Sequence, residues 1–243
     1  MEAIKTQGLT KAYKGLVAVD GLNLSVKRGE LFSLLGVNGA GKTTTVRMLS
    51  CLTRPTAGDA LVMGRSVVRE TARVKRVIGV SPQETAVAQN LTVKENLLFM
   101  CGIHGLSRAE TDERMEALIG RFSLGEALSR RAGKLSGGWQ RRLSIAMALI
   151  SNPEVLFLDE PTLGLDVIAR AGLWDEVRAL KGRITVILTT HSMEEAGALS
   201  DRVAVMSRGR LLTVGTPGEI CRETGTDRFE DAFVAVVKGA ERL

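Results

Sequence analysis

The sequence is poor in cysteine and in aromatic residues, and each shortage excludes a class of protein. Its three cysteines, at positions 51, 101 and 221, lie far apart, without a CxxC pair or a histidine cluster nearby. This spacing predicts neither a disulfide framework nor a metal site built on cysteine, and it fits a reducing cytoplasm. Aromatic residues make up only 4% of the chain, whereas proteins that bind single-stranded nucleic acid stack bases on many of them.

Long apolar runs are also absent. The longest, such as Ile145–Ile150, contain about six residues, and a helix that crosses a bilayer needs about 20. Residues 1–14 contain no apolar stretch of the kind that forms a signal peptide. We therefore expect a globular chain that does not itself span a membrane.

The composition that is present favours a folded protein with an anionic partner. Hydrophobic residues make up 44% of 243 residues, and the net charge is +6. The hydrophobic content supports a buried core. The net charge favours nucleotides, nucleic acid or an anionic membrane surface as partners. The basic residues form only short clusters, for which solvated surface is the ordinary interpretation.

Apolar periodicity predicts an α/β chain. Short apolar runs bounded by glycine predict strands in the first part of the sequence, at 3–9, 16–26, 31–35 and 60–62. Helical spacing replaces this pattern from Thr92 to Ile150, which predicts a mostly helical insertion.

The second half returns to strand and helix alternation. Continuous apolar runs at 155–158 and 184–188 are typical of buried parallel strands, and an amphipathic helix over 167–181 separates them. This alternation predicts a parallel sheet covered by helices. The tail predicts two more strands and two short helices, at 202–206, 210–214, 217–222 and 229–237.

Residues 36–43 match the phosphate-loop pattern GxxxxGK[ST] between a predicted strand and a predicted helix from 42 to 52. Small residues let backbone N–H groups converge on phosphate oxygens, Lys42 reaches the β and γ phosphates, and the Thr43 hydroxyl ligates Mg²⁺. The residues predicted to bind nucleotide here are Gly36, Val37, Asn38, Gly39, Ala40, Gly41, Lys42, Thr43 and Thr44.

Two carboxylates, Asp159 and Glu160, end the apolar run at 155–158. In an open parallel sheet, ligands bind beyond the carboxyl ends of strands, so this pair and the phosphate loop share one edge. Asp159 would hold Mg²⁺ through its water shell, and Glu160 could polarise an attacking water. Taken alone, the pair is equally well explained by a strand that exits into solvent.

His191 follows another apolar run and would project at the same edge. There its imidazole could contact a γ-phosphate. Considered by itself, a lone histidine is more often a hydrogen-bonded or solvent-facing residue, and that interpretation holds for His104.

The order Leu135-Ser136-Gly137-Gly138, about 20 residues before the acidic pair, resembles the signature motif of the ATP-binding cassette (ABC) family. The resemblance extends over nearly the whole chain. It implies an α/β fold with a P-loop NTPase core around a parallel sheet, an antiparallel N-terminal β region and a helical subdomain. The implied division of a single domain, residues 1–243, is a nucleotide-binding core at 1–90 and 152–225, a helical signature subdomain at about 91–151 and a C-terminal helix at 226–243.

The resemblance also implies further site residues. Tyr13 is similar to the aromatic residue that stacks on adenine, Gln83 to a glutamine that senses Mg²⁺ and water, and Asp166 to the loop that bridges two subunits. Their ordinary interpretations are a surface tyrosine, a loop glutamine and a helix cap. The implied catalytic residues are Lys42, Gln83, Glu160 and His191, the metal-site residues are Thr43, Gln83 and Asp159, and the residues that bind ATP across a dimer are Ser136, Gly137, Gly138 and Asp166.

The implied cofactors are ATP and Mg²⁺, and the implied partners are a membrane permease and a second copy of the chain or a similar subunit, packed head to tail. The segment after Gln83, through residues 96–99, would dock on the permease at the cytoplasmic face of the cell membrane. The stretches at 191–196 and 227–237 resemble subunits that export small molecules, drugs or ions. No nucleic acid is expected as a partner.

Two alternatives belong to other classes. A cassette ATPase acting on nucleic acid or ribosomes fits the charge of +6. Proteins of that class usually carry two cassettes in one chain or long coiled coils, and this sequence has neither feature. A nucleotide-binding scaffold without catalysis is disfavoured by Glu160 and His191. Two positions depart from the family pattern, since Trp139 stands where glutamine is common and Leu163 where serine or threonine is common.

Overall fold

The computed structural model describes residues 1–241. The last two residues of the predicted C-terminal helix 226–243 therefore lie outside the described residues. The strands are β1 (Glu2–Tyr13), β2 (Leu16–Leu22), β3 (Ser25–Lys27), β4 (Leu31–Leu35), β5 (Ala57–Val62), β6 (Arg65–Ser66), β7 (Ile78–Ser81), β8 (Val155–Asp159), β9 (Thr185–Thr190), β10 (Arg202–Ser207) and β11 (Arg210–Gly215). The helices are α1 (Lys42–Leu49), α2 (Thr71–Lys75), α3 (Val93–Ile103), α4 (Arg108–Arg121), α5 (Gly137–Leu149), α6 (Val167–Arg178), α7 (Met193–Leu199), α8 (Pro217–Thr224) and α9 (Phe229–Glu241), with short 3₁₀ turns at Gly125–Ala127 and Ala132–Lys134.

The central sheet has the strand order β11-β10-β4-β9-β8-β7. Its strands from β10 to β7 run parallel, and only β11 pairs antiparallel. Every residue of β4, β8 and β9 is buried, which explains their continuous apolar sequences, because helices or a second sheet must cover both faces of a parallel sheet. The predicted parallel sheet is confirmed.

A smaller antiparallel sheet, ordered β2-β1-β5-β6 with β3 also paired to β1, covers one face of the central sheet. Side chains alternate along a strand, so Phe157 points into a core shared with this small sheet and α1, while Leu156 and Leu158 point into a core shared with the helices. The predicted antiparallel N-terminal region is confirmed.

Helices α3, α4 and α5 pack against one another on the opposite face. Capping boxes start two of them: Thr92 with Glu95 for α3, and Ser107 with Glu110 for α4. Each box satisfies N–H groups that a helix leaves open at its first turn. The inner faces bury the apolar residues whose helical spacing predicted them, among them Leu97, Cys101, Leu118, Phe122 and Leu143.

The elements predicted at 16–26, 42–52 and 167–181 are shorter in the structure, and the last of them, α6, ends at Arg178. The run at 16–26 divides into β2 and β3, because Thr6 of β1 bonds to both sides of the break, donating to the Leu22 carbonyl and accepting from the Leu24 N–H. The predicted helix at 42–52 ends at Leu49, because Cys51 adopts a left-handed φ of 58° and the N–H of Leu52 turns back to the Arg47 carbonyl. Among residues 1–241, no helix is both long and apolar enough to cross a bilayer.

Candidate nucleotide-binding site

A cleft of about 830 Å³ opens at the carboxyl ends of β4, β8 and β9. Parallel pairing brings these ends to one edge, since Leu35 is in register with Thr190 and Asp159 with Thr189. The predicted residues that line the cleft are Tyr13, Asn38, Gly39, Ala40, Gly41, Lys42, Thr43, Thr44, Gln83, Glu160 and His191. The structure therefore brings together side chains that lie up to 178 positions apart, from Tyr13 to His191 (191 − 13 = 178).

The phosphate loop runs from Gly36 at the end of β4 to Lys42, the first residue of α1. Glycine is needed at both ends of the turn. A Cβ on Gly36 would lie 2.3 Å from the Met206 carbonyl oxygen, and Gly41 has a φ of +100° with the Ala18 carbonyl oxygen 2.5 Å from where its Cβ would be. Close backbone approach therefore fixes the loop in a shape whose N–H groups can face an anion.

Lys42 is held inside this loop. Its side chain is 6% exposed, and Nζ donates to the carbonyl oxygens of Gly36 at 2.7 Å and Val37 at 3.3 Å. Nζ also lies 3.3 Å from Oε1 of Glu160, whose side chain is 8% exposed. The ammonium is thus positioned at the phosphate loop and paired with a carboxylate.

Glu160 joins the phosphate loop to His191. Its second oxygen, Oε2, lies 2.8 Å from Nδ1 of His191, which is 47% exposed. Glu160 has a left-handed φ of 48° and donates its backbone N–H to both the carbonyl and the hydroxyl of Thr189. The strained backbone is held by β9 and directs the carboxylate into the cleft.

Oxygen donors next to the loop fit a magnesium ion. Oδ1 of Asp159 accepts hydrogen bonds from Thr43 Oγ1 at 3.0 Å and Thr189 Oγ1 at 2.5 Å. Within residues 1–241, no group of three or more histidine, cysteine or acidic residues converges on a metal position. A cation here would rely on Thr43, Asp159, phosphates and water, which is the way Mg²⁺ is commonly bound.

The mouth of the cleft has an apolar rim that sequence reasoning missed in part. Tyr13 is 42% exposed, with Lys11 Nζ 5.0 Å from its ring centroid. Leu16 and Val17, which are 67% and 47% exposed, line the same cleft. Leu16 pairs directly with Tyr13 across the turn between β1 and β2, which places both side chains at the mouth of the cleft.

Arg208 also lines the cleft, although no motif in the sequence marks it as a site residue. It lies in the turn between β10 and β11, with a left-handed φ of 47°, and adds a guanidinium to the cleft. Leu163, one of the two departures from the family pattern, also lines the cleft.

Four predicted residues, Ser136, Gly137, Gly138 and Asp166, form a separate group outside the cleft. Ser136 is the N-cap residue of α5, and its side chain accepts no bond from the first turn. Asp166 caps α6 by accepting the Ala169 N–H at 2.9 Å. A Cβ on Gly138 would lie 3.2 Å from Ala169, so the start of α5 and the start of α6 are neighbours. Ser136, Gly137, Gly138 and Asp166 thus share a surface, but none of them lines the cleft.

Comparisons with known proteins agree with this geometry. The profile of the family described as "ABC transporter" matches residues 19–163. The chain is 47% identical over 235 residues to the daunorubicin/doxorubicin resistance ATP-binding protein DrrA of Streptomyces peucetius, covering 95% of this chain and 71% of that relative.

Solved structures give the same result for the fold. The ATP-binding subunit of an ABC transporter superposes with a TM-score of 0.87 at 27% identity, covering 97% of this chain and 99% of that one. The cbiO1 protein of Clostridium perfringens, part of the ABC transporter complex cbiONQ, gives a TM-score of 0.83 at 28% identity over 91% of each chain.

Proposed function

This chain belongs to the ABC transporter family and binds and hydrolyses ATP to power transport, and from this premise we propose that it drives a separate membrane permease that exports a small molecule, drug or ion. The observation that carries the ATP hydrolysis on which this proposal depends is the chain of contacts from Lys42 through Glu160 to His191 at the phosphate loop. These contacts place a cation, a candidate base and an imidazole on one side of a cleft of nucleotide size.

The chemistry assigned to the cleft follows from these contacts. When ATP enters, its phosphates can replace Glu160 as the partner of Lys42, because the phosphate loop surrounds the ammonium. Glu160 is then free to accept a proton from the attacking water, and His191 holds that carboxylate in place. Bound Mg²⁺ would neutralise phosphate charge, with Thr43, Asp159 and Gln83 as the residues around it.

We also propose that two chains form a complete site. Ser136, Gly137, Gly138 and Asp166 lie outside the cleft of their own chain. The first N–H groups of α5 donate no hydrogen bond to the Ser136 side chain, so they can bind a γ-phosphate that a second chain holds. Val167 and Ile168 next to Asp166 are 70% and 85% exposed, so an apolar surface that a second copy could cover lies beside these residues.

The surface proposed for the permease is narrower than the sequence suggested. Asn96 and Leu97 are fully buried, and the Asn96 amide bonds to the backbone of residues 88–92. The expectation that the docking segment includes these two residues is therefore wrong. Leu98, Phe99 and Ile103 of α3 are 41%, 55% and 60% exposed, and we assign the docking surface to them.

The proposal also assigns a role to each part of the chain. Residues 1–90 and 152–225 would act as the nucleotide-binding core, residues 91–151 as the helical signature subdomain, and the C-terminal helix would close the domain. Working through a permease would place the chain at the cytoplasmic face of the cell membrane. The name of the Streptomyces relative supports a drug as cargo, and the alternative of a cassette ATPase acting on nucleic acid is not favoured.

Replacement of Glu160 tests the function directly. We expect Glu160→Gln to lower ATP turnover at least about a hundredfold, because the amide cannot accept the proton, while ATP binding persists. The trapped ATP should then hold two chains together, so light scattering should show an ATP-dependent doubling of mass. Glu113→Gln, at an exposed position of α4, is the matched control and should turn over as the unaltered chain does. An unchanged rate in Glu160→Gln would remove this residue from catalysis.

A further inference from the structure

Arg141, a residue outside every motif identified in the sequence, makes contacts that the nucleotide chemistry leaves unexplained. We propose that Arg141 is a positioning residue that fixes Gln83 at the cleft and ties its placement to helix α5. The inference rests on the role proposed for Gln83, and it adds a physical link between the cleft and the start of α5.

The link consists of two short hydrogen bonds from one guanidinium. Nη1 of Arg141 donates to the carbonyl oxygen of Pro82 at 2.6 Å, and Nη2 donates to the carbonyl oxygen of Gln83 at 2.6 Å. Two bonds from one planar group to consecutive carbonyls restrict both the position and the orientation of the peptide chain that they hold. The backbone that carries the Gln83 side chain into the cleft is therefore set by Arg141.

The burial of Arg141 indicates that its contact with residues 82 and 83 has a specific role. Arg141 is 4% exposed, yet it forms no direct ion pair within the described residues, and its two bonds go to backbone carbonyls. Burying a guanidinium without a paired carboxylate is costly. The carboxylates of Asp159 and Glu195 favour its charged form through space, against the burial that lowers its pKa. If packing were the only requirement at this buried position of α5, a leucine or methionine side chain would fill it with a smaller desolvation penalty.

Helix α5 contacts the same segment at two further points. Ser144 Oγ and Ser81 Oγ are 2.9 Å apart, and Thr85 Oγ1 donates to Gln140 Oε1 at 3.4 Å. Residues 81–85 are thus attached along one face of α5, and the helix begins beside Ser136, where the second chain's nucleotide is proposed to bind. A displacement of α5 would move Gln83 in this chain's own cleft, so each site could sense occupancy of the other.

The neighbouring arginine provides a matched control. Arg142 also lies on α5 and is partly buried, but its Nε binds Glu176 Oε1 of α6 at 3.0 Å, and it makes no bond to residues 81–85. Replacing either arginine removes one guanidinium from the same helix. Only the Arg141 variant releases the segment that contains Gln83.

The experiment compares Arg141→Met, Arg141→Lys and Arg142→Met in the full chain. We expect Arg141→Met to lower kcat about tenfold, because a small misplacement of a group at the reacting phosphate has an effect of this size or larger. The Mg²⁺ concentration for half-maximal rate should rise several-fold, and the affinity for a fluorescent ATP analogue measured without Mg²⁺ should stay within about twofold of the parent chain. Arg141→Lys should recover part of the rate, since an ammonium can still donate to the carbonyls. Arg142→Met should leave the Mg²⁺ dependence unchanged.

A double-mutant cycle with Gln83→Ala identifies the route of the effect. If Arg141 acts through Gln83, Arg141→Met should add little to the loss that Gln83→Ala causes alone. Fully additive losses, an unchanged kcat in Arg141→Met, or equal shifts of Mg²⁺ dependence in Arg141→Met and Arg142→Met would each overturn the inference. If Gln83→Ala itself leaves turnover and Mg²⁺ dependence unaltered, the role proposed for Gln83 fails, and the positioning role of Arg141 fails with it.

Discussion

Lys42 is the residue on which phosphate binding depends most. Its ammonium already lies within the loop, 2.7 Å from the Gly36 carbonyl oxygen, so little reorganisation is needed when phosphates arrive. An alanine at this position would leave the loop shape intact, because the glycines at 36 and 41 are set by backbone contacts. The variant would therefore lose only the ammonium group that binds phosphate.

We therefore expect Lys42→Ala to weaken ATP binding by at least about a hundredfold, the range found when a buried hydrogen-bonded charge partner is removed. Equilibrium binding of a fluorescent ATP analogue measures this. Lys11→Ala, at the rim of the cleft beside Tyr13, is the comparison and should change affinity only slightly. Full retention of affinity in Lys42→Ala would show that phosphates bind elsewhere.

Glu176 of α6 is a second residue with a measurable consequence. Its Oε1 lies 3.0 Å from Arg142 Nε, while its Oε2 is buried and has no hydrogen-bond partner among residues 1–241. Burial raises the pKa of Glu176 to about 7, and Arg142 only partly offsets this effect. The folded state therefore holds this proton more tightly than the unfolded chain does.

The raised pKa of Glu176 makes the free energy of unfolding depend on pH. Between about pH 4.5 and pH 7 the folded chain binds more protons at Glu176 than the unfolded chain, so this residue's contribution to stability is lost as pH rises through about 7. We expect Glu176→Gln to change this dependence. Relative to the parent chain, the variant should gain about 1–3 kcal/mol in the free energy of unfolding between pH 5 and pH 8. Urea denaturation at both pH values measures it, and an identical difference at both would contradict the assignment.

At the scale of elements, the capping boxes explain where α3 and α4 begin. Ser107 accepts the Glu110 N–H and Glu110 reaches back to the Ser107 N–H, which closes the first turn of α4. The helix exposes most of its polar face, and its mean hydropathy is low. Local capping therefore contributes visibly to its stability.

We expect Ser107→Ala to lower the free energy of unfolding by about 1 kcal/mol, which corresponds to a decrease in Tm of about 2–4 °C for a chain of this size. Thermal unfolding followed by circular dichroism measures the change. Ser107→Thr keeps a hydroxyl at the cap and should recover most of the loss. Equal losses in both variants would mean that the cap hydroxyl is not responsible.

At the scale of the whole molecule, α3 carries the surface assigned to the permease. Leu98 and Phe99 are exposed beside the buried Asn96 and Leu97, so they can be changed without opening the core. We expect the double variant Leu98→Ser, Phe99→Ser to keep the ATP affinity of the parent chain and to lose co-purification with membranes that contain the permease. Leu52→Ser, at another exposed apolar position, is the control and should still co-purify. Binding that survives in the double variant would place docking elsewhere.

The sequence by itself determined the parts that depend on neighbours along the chain. The phosphate loop, the buried strands and the acidic pair could be located because each is a short pattern with its own steric or hydrogen-bonding reason. The alternating pattern also fixed the α/β class, and relatives and solved structures confirm it.

Only the tertiary structure decided what meets across the chain. The order of the central sheet, with β4 between β9 and β10, brings Arg208 to the cleft, an outcome that has no local signal. The same packing places Arg141 under Gln83. These contacts join residues tens to hundreds of positions apart, and their free energy depends on how helices and strands are arranged around both cores, which no short pattern records.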